Sequence, residues 1–234
     1  MDELIHRHEP SPNWDERALP VTMAVLHYTE MESCEASLAR LCDPEAKVSA
    51  HYLISEEGEV TQLVDESKRA WHAGASFWRG LRDVNSASIG IELQHPGHAL
   101  GYREFADAQF EALVPLLNRI VQNHDIPRAN VVGHSDVAPA RKTDPGELFP
   151  WERLAEYRLC LERPKKLELG DPFPNDGAFY LALERFGYDI TDGKKAVEAF
   201  QRRWRPEKIN GEIDGQVRAI LFHLLLDRDR GLAR

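Results

Sequence analysis

Two histidines stand at the ends of apolar, strand-like runs. His27 lies near the end of Val21–Tyr28, His134 follows Val131-Val132-Gly133, and Asp144 comes ten residues after His134. Imidazole nitrogen and carboxylate oxygen are both good zinc donors, and three protein ligands with one open position mark a catalytic rather than a structural zinc site. Strand ends suit such ligands because rigid backbone fixes their geometry. Spacing alone leaves a second reading open, and it is the commoner one: hydrogen-bonded structural histidines. No His-Glu-x-x-His motif is present to separate the two. Glu92 sits in Ile89-Gly90-Ile91-Glu92-Leu93. Apolar neighbours would desolvate its carboxylate and raise its pKa toward general acid–base use, although strand alternation also allows it to face outward. Lys142 precedes Asp144 by two residues. In an extended loop the two share a side, which sets a cation beside the metal; a solvated loop lysine is the other reading.

The elements that must position these residues are visible in the periodicity. Val21–Tyr28 reads as a buried strand. Residues 33–41 read as a helix with Ser33 as N-cap. Val48–Ser55 and Val60–Val64 read as strands joined by a hairpin turn at 56–59, and Ser88–Leu93 as an alternating strand. Glu104–His124 carries apolar residues at helical spacing, with Pro115 expected to bend it. A short strand ending in His134, a loop over 135–150 and a helix over Trp151–Leu161 follow. Residues 1–20, with three prolines and many charges, read as an extended lead-in that wraps the domain. Arg163–Asn175 reads as a linker. Three short helical patterns follow, Ala178–Phe186, Lys194–Trp204 and Val217–Leu226, separated by glycine-containing turns. The expected division is therefore 1–161, a linker over 162–174, and a three-helix unit over 175–234.

Composition narrows the function classes. The 234 residues are 42% hydrophobic and 29% charged, with a formal net charge of −10. That balance is ordinary for a globular chain and argues against nucleic acid as a main partner, which needs surplus Lys and Arg. Three cysteines without C-x-x-C spacing indicate no disulfide framework. The first ten residues lack a basic region followed by an apolar stretch, and no run approaches the roughly 18 apolar residues of a membrane span. For a chain complete as made, the expected location is the cytoplasm.

Five ordered segments resolve the open readings by resemblance: Val25-Leu26-His27-Tyr28-Thr29, residues 48–54 (VSAHYLI), Ala70-Trp71-His72-Ala73-Gly74, Ser88-Ile89-Gly90-Ile91-Glu92 and residues 133–146 (GHSDVAPARKTDPG). Together they resemble the N-acetylmuramoyl-L-alanine amidase family, which includes phage lysozyme-like amidases, bacterial AmpD and AmiD, and animal peptidoglycan recognition proteins. The match spans about residues 20–160. It implies an α/β fold with a mixed β-sheet flanked by helices and a zinc cleft. It implies zinc ligands His27, His134 and Asp144, an acid/base at Glu92, an oxyanion-stabilising cation at Lys142, and a groove lined by Trp71 and His72. The phage branch is similar but has a cysteine as third ligand and a tyrosine near the metal; Asp144 and Ala50 stand at those places here, as in the AmiD/AmpD branch. Some animal relatives bind without cutting because their zinc set is incomplete, whereas here it is complete. His51 is expected to hold the sheet together or orient a ligand. His6, His8, His95, His98, His124 and His223 are expected to be surface or packing residues.

The segments Phe186-Gly187-Tyr188, residues 199–204 (AFQRRW) and 211–215 (GEIDG) resemble a three-helix peptidoglycan-binding domain; a helical appendage that only packs on the first domain is the other reading. The resemblance implies cleavage of the amide between N-acetylmuramic acid and L-alanine in muropeptides. The expected role is recycling of 1,6-anhydro fragments. Action on intact wall peptidoglycan, and a muropeptide sensor that does not cut, are the alternatives.

Overall fold

A computed structural model describes residues 4–167 and 172–229. The lead-in enters as two short strands, β1 (Arg7–His8) and β2 (Trp14–Glu16), followed by β3 (Met23–Tyr28) and helix α1 (Cys34–Cys42). The Ser33 hydroxyl accepts from the Ala36 amide and caps α1 as predicted. Next come β4 (Tyr52–Ile54), β5 (Val60–Gln62), β6 (Lys68–Ala70), the single turn α2 (Val84–Ala87), β7 (Ser88–Leu93) and the single turn α3 (Gly97–Leu100). The long helix α4 (Asp107–His124) precedes β8 (Val131–Gly133), α5 (His134–Val137) and α6 (Trp151–Glu156), and α7 (Asp176–Phe186), α8 (Gly193–Trp204) and α9 (Gly215–Asp229) close the chain.

Six strands form one mixed sheet in the order β1-β5-β4-β7-β3-β8, and β2 pairs with β6 in a separate antiparallel ribbon. The lead-in is thus built into both sheets. β3 runs parallel to β7 and β8 on either side, and all six of its residues are buried. A parallel strand covered on both faces reads as a continuous apolar run for that reason.

Alternation sorts the core into two layers. Ala24, Leu26, Ile89, Ile91 and Val131 face α4, packing with Phe110, Leu113, Leu117 and Ile120. Met23, Val25 and Val132 face the other way and share one apolar cluster with Phe179, Leu183, Phe200 and Trp204 of α7 and α8 and with Ile220 and Leu224 of α9. At the β4 side of that second face, α1 contributes Leu38 and Leu41 against Leu53. The C-terminal helices therefore lie on the sheet face that also carries His27. Trp78, 2% exposed, inserts among Phe186 and Tyr188, and a Cβ at Gly187 would meet its ring at 2.9 Å.

Several local expectations shift. α4 starts at Asp107 and runs through Pro115, which lies on its exposed side. α6 stops at Glu156, with Arg158 at positive φ, and Leu159 and Cys160 turn back into the core. β8 ends at Gly133, so His134 opens α5 rather than closing the strand. Part of the expected linker (168–171) and the last five residues of the three-helix unit (230–234) lie outside the described residues. Among the described residues no helix is long and apolar enough to cross a membrane.

Candidate metal and catalytic site

Strand register assembles the site. His27 of β3 lies opposite Glu92 of β7, and Leu26 lies opposite Gly133 of β8. Directly opposed residues project to the same face. The C-terminal ends of three neighbouring parallel strands thus present Glu92, His27 and the turn bearing His134 side by side, where open α/β sheets place their ligands. The loop after α5 returns Asp144 to the same point, held by a hydrogen bond from the Ser135 amide to the Asp144 carbonyl at 2.8 Å.

His27 Nδ1, His134 Nδ1 and Asp144 Oδ2 stand 3.0 Å from one another, and all three residues are buried. Zinc bonds of about 2.0–2.1 Å to nitrogen and oxygen in a tetrahedron put ligand atoms roughly 3.3 Å apart, so the triangle fits such an ion closely. The hydrogen-bond network also sets the tautomers. His134 Nε2 lies 3.1 Å from the Ala73 carbonyl and must donate to it, leaving Nδ1 with a free lone pair. His27 Nε2 lies 3.0 Å from His72 Nδ1, His72 Nε2 lies 3.2 Å from Ser88 Oγ, and Ser88 Oγ donates to the Val84 carbonyl at 2.6 Å. One assignment satisfies the whole chain: each imidazole donates outward, and His27 Nδ1 is left as a metal-facing acceptor. Outer partners of this kind orient a ligand and raise its basicity.

Burial, then the neighbouring His134, pushes the His27 pKa down to about 4, and burial with His27 behind it holds His72 well below the usual imidazole range. Neutral rings suit the roles the geometry offers, His27 as a candidate ligand and His72 as the acceptor behind it. Burial opposes the charge on Asp144; in the metal-free protein a proton at its contacts with His134 and His27 outweighs this and keeps the carboxylate well below its ordinary range, the place that a metal cation would take. Glu92 behaves oppositely. Burial first, then the charge of Asp144, pushes it up to about 8, with Lys142 pulling the other way. Its Oε2 is buried without a hydrogen-bond partner among the described residues.

The cleft above measures about 420 Å³. Its lining includes Glu92, His134 and Asp144, Trp71, Arg141 and Lys142, and Ser37 and Leu41 of α1. Trp71 is half-buried, with its indole N–H donating to Asp15 at 2.7 Å. His72 reaches the cleft, but its ring lies chiefly behind His27. Tyr28 bridges Thr143 and His98 at the rim.

The alternation of Ser88–Leu93 has a cause that the sequence does not reveal. The strand is buried on both faces apart from Glu92. Its small residues, Ser88 and Gly90, make room for the His72 ring; a Cβ at Gly90 would lie 2.4 Å from His72 Cγ. His51 belongs to the sheet: its Nδ1 accepts from the Gly90 amide at 2.9 Å and its Nε2 meets Arg17 and the Lys68 carbonyl. Gly90 builds the site without a role legible from its own chemistry, although a glycine inside a strand is a recognised sign of close approach.

Comparison with known proteins identifies the family. A family model described as N-acetylmuramoyl-L-alanine amidase matches residues 17–147. The chain is 38% identical to the N-acetylmuramoyl-L-alanine amidase AmiD of Escherichia coli, over 88% of this chain and 82% of that protein. It is also 38% identical to the 1,6-anhydro-N-acetylmuramyl-L-alanine amidase AmpD of Enterobacter cloacae, over 63% of this chain and 87% of that one. Among solved structures, AmiD from E. coli in complex with anhydro-N-acetylmuramic acid-L-Ala-D-gamma-Glu-L-Lys superposes with a TM-score of 0.79 at 36% identity, covering 91% of this chain and 92% of that one. AmpDh3 from Pseudomonas aeruginosa gives 0.79 at 30% identity, covering 95% and 96%. The mixed sheet flanked by helices is the architecture of these enzymes, and the chain belongs to the N-acetylmuramoyl-L-alanine amidase family, in its AmiD/AmpD-like branch.

Proposed function

We propose that this amidase is zinc-dependent and hydrolyses the bond between 1,6-anhydro-N-acetylmuramic acid and L-alanine in muropeptides, as a step of peptidoglycan recycling in the cytoplasm. The observation that carries the mechanism is the register of Glu92 beside His27, which sets an unpartnered carboxylate oxygen next to a three-donor triangle. His27, His134 and Asp144 would hold the zinc. When bound, it supplies a Lewis acid and an acidified water. With that cation beside it favouring its ionised form, Glu92 Oε2 would take a proton from a water attacking the lactyl carbonyl and deliver it to the leaving nitrogen of L-alanine, since a free amide anion is a very poor leaving group. Lys142 Nζ offers its charge to the developing oxyanion. Trp71 lines the groove for the substrate, with His72 keeping His27 oriented beneath it.

The anhydro substrate is supported by the names of the AmpD relatives and by the muropeptides bound in the AmiD and AmpDh3 structures. A second reading, action on intact wall, is favoured by one observation: the likeness to AmiD and AmpDh3 runs through the C-terminal helices, and residues 175–234 resemble a peptidoglycan-binding domain. Mass spectrometry of products from anhydro-N-acetylmuramyl-tripeptide and from intact sacculi separates the two. Release of tripeptide that needs both metal and Glu92, with the anhydro fragment preferred, is expected. Preference for sacculi would overturn the recycling role, and tripeptide release by a Glu92→Ala variant would overturn the mechanism.

A further inference from the structure

One buried charged cluster lies outside the reacting groups. Asp136 of α5 is 1% exposed. Its Oδ2 accepts from the Gly133 amide at 2.8 Å and from Arg203 Nη1 at 2.8 Å, and its Oδ1 accepts from the Tyr188 hydroxyl at 2.5 Å. Arg203 Nη2 donates to the Val131 carbonyl at 3.0 Å. One guanidinium therefore grips both ends of β8, Val131 directly and Gly133 through Asp136. Its plane is fixed in turn by Trp151, whose ring centre lies 3.8 Å away, and by Trp204 at 4.8 Å.

Both clamping residues come from the C-terminal helical region, and what they clamp is the turn that bears metal ligands. Gly133 immediately precedes His134, and a Cβ there would meet Pro145 at 2.6 Å. The Ser135 amide holds the Asp144 carbonyl. Two of the three metal donors thus hang on a single turn tied to Asp136. Net stability is a poor explanation for such a cluster, because well-packed apolar residues often serve as well as a buried ion pair. What the ion pair adds is direction: a planar two-pronged donor accepts little deviation in its partners.

We propose that Arg203 and Tyr188 are positioning residues of the metal centre, acting through Asp136 on His134 and Asp144. The C-terminal helices are then part of the active-site scaffold, whatever they bind on their outer surface. This inference rests on the reading of His27, His134 and Asp144 as zinc ligands.

The test is zinc affinity of the full chain, measured by competition with a chromophoric chelator well below the melting temperature of the metal-free protein. Arg203→Met keeps apolar contact with Trp151 but loses the fork; its zinc Kd should rise about 10- to 100-fold, the usual cost of losing an outer support. Arg203→Lys should fall between, because one ammonium cannot span Val131 and Asp136 as the fork does. Tyr188→Phe removes a single hydroxyl and should raise the Kd several-fold, which preserves the test if Arg203→Met does not fold. Folded variants that bind zinc as tightly as the wild type overturn the proposal. A wild-type protein that binds no zinc overturns the underlying metal reading instead, which is a distinguishable result.

Discussion

Replacing Gly90 with alanine should damage the proposed metal site more than its size suggests. The added Cβ would lie 2.4 Å from His72 Cγ, 2.6 Å from Cδ2 and 2.7 Å from Nδ1, whereas ordinary Cβ contacts begin near 3.4 Å. The ring must therefore retreat by about 1 Å, the difference between those distances. Its bond to His27 Nε2 is 3.0 Å long, and a displacement of that size takes it past hydrogen-bonding range. Two losses follow. Overpacking in a closed core costs about 1–3 kcal/mol of stability. Losing the orienting partner of a metal-ligating histidine costs about 10- to 100-fold in metal affinity, roughly 1.4–2.8 kcal/mol. Zinc titration against a competing chelator reads the second loss, and thermal melting of the metal-free protein reads the first. Gly215→Ala is the control, since a Cβ there meets nothing within 4 Å; it should leave both readings unchanged. A Gly90→Ala protein that melts cooperatively and binds zinc like the wild type would refute the claim that His72 supports His27.

Glu92→Gln should lower kcat by about 10²- to 10⁴-fold, the usual worth of a positioned acid–base, while zinc content stays at the wild-type level. The same variant should alter pH dependence in the metal-free protein. A carboxyl raised from 4.5 to about 8 contributes stability that is full below pH 4.5 and lost as pH rises through 8. Urea unfolding between pH 5 and 9 should therefore show the wild type losing more stability than Glu92→Gln, and parallel curves would count against a proton-holding Glu92. Lys142→Met should cost about 10²- to 10³-fold in kcat if its charge meets the oxyanion; a change confined to KM would assign it to binding alone. Deleting residues 176–234 strips the cover from Met23, Val25, Trp78 and Val132. The remaining chain should lose cooperative melting, and a sharp, unchanged transition would show that the shared core is dispensable.

Much of this protein is legible in its sequence because period and punctuation are local properties. The apolar run ending in His27, the Ser33 cap, the 56–59 turn and the three C-terminal helices follow from side-chain spacing, caps and glycines that act within a few residues. The ordered motifs around His27, Glu92 and His134 made the family recognisable. Other features depended on how distant segments meet. Nothing local tells that His27 and Glu92 share a register position across two parallel strands, because pairing partners lie 65 residues apart. Nor does it tell that the Ser-x-Gly-x alternation of β7 houses a histidine from another loop rather than facing water. Asp136 looks like any polar loop residue until Arg203 and Tyr188 arrive from helices that the sequence presents as a separate unit. Short-range propensities set the elements; the convergence of His27, His134 and Asp144, and the burial of the groups around them, come from contacts between segments far apart in the chain.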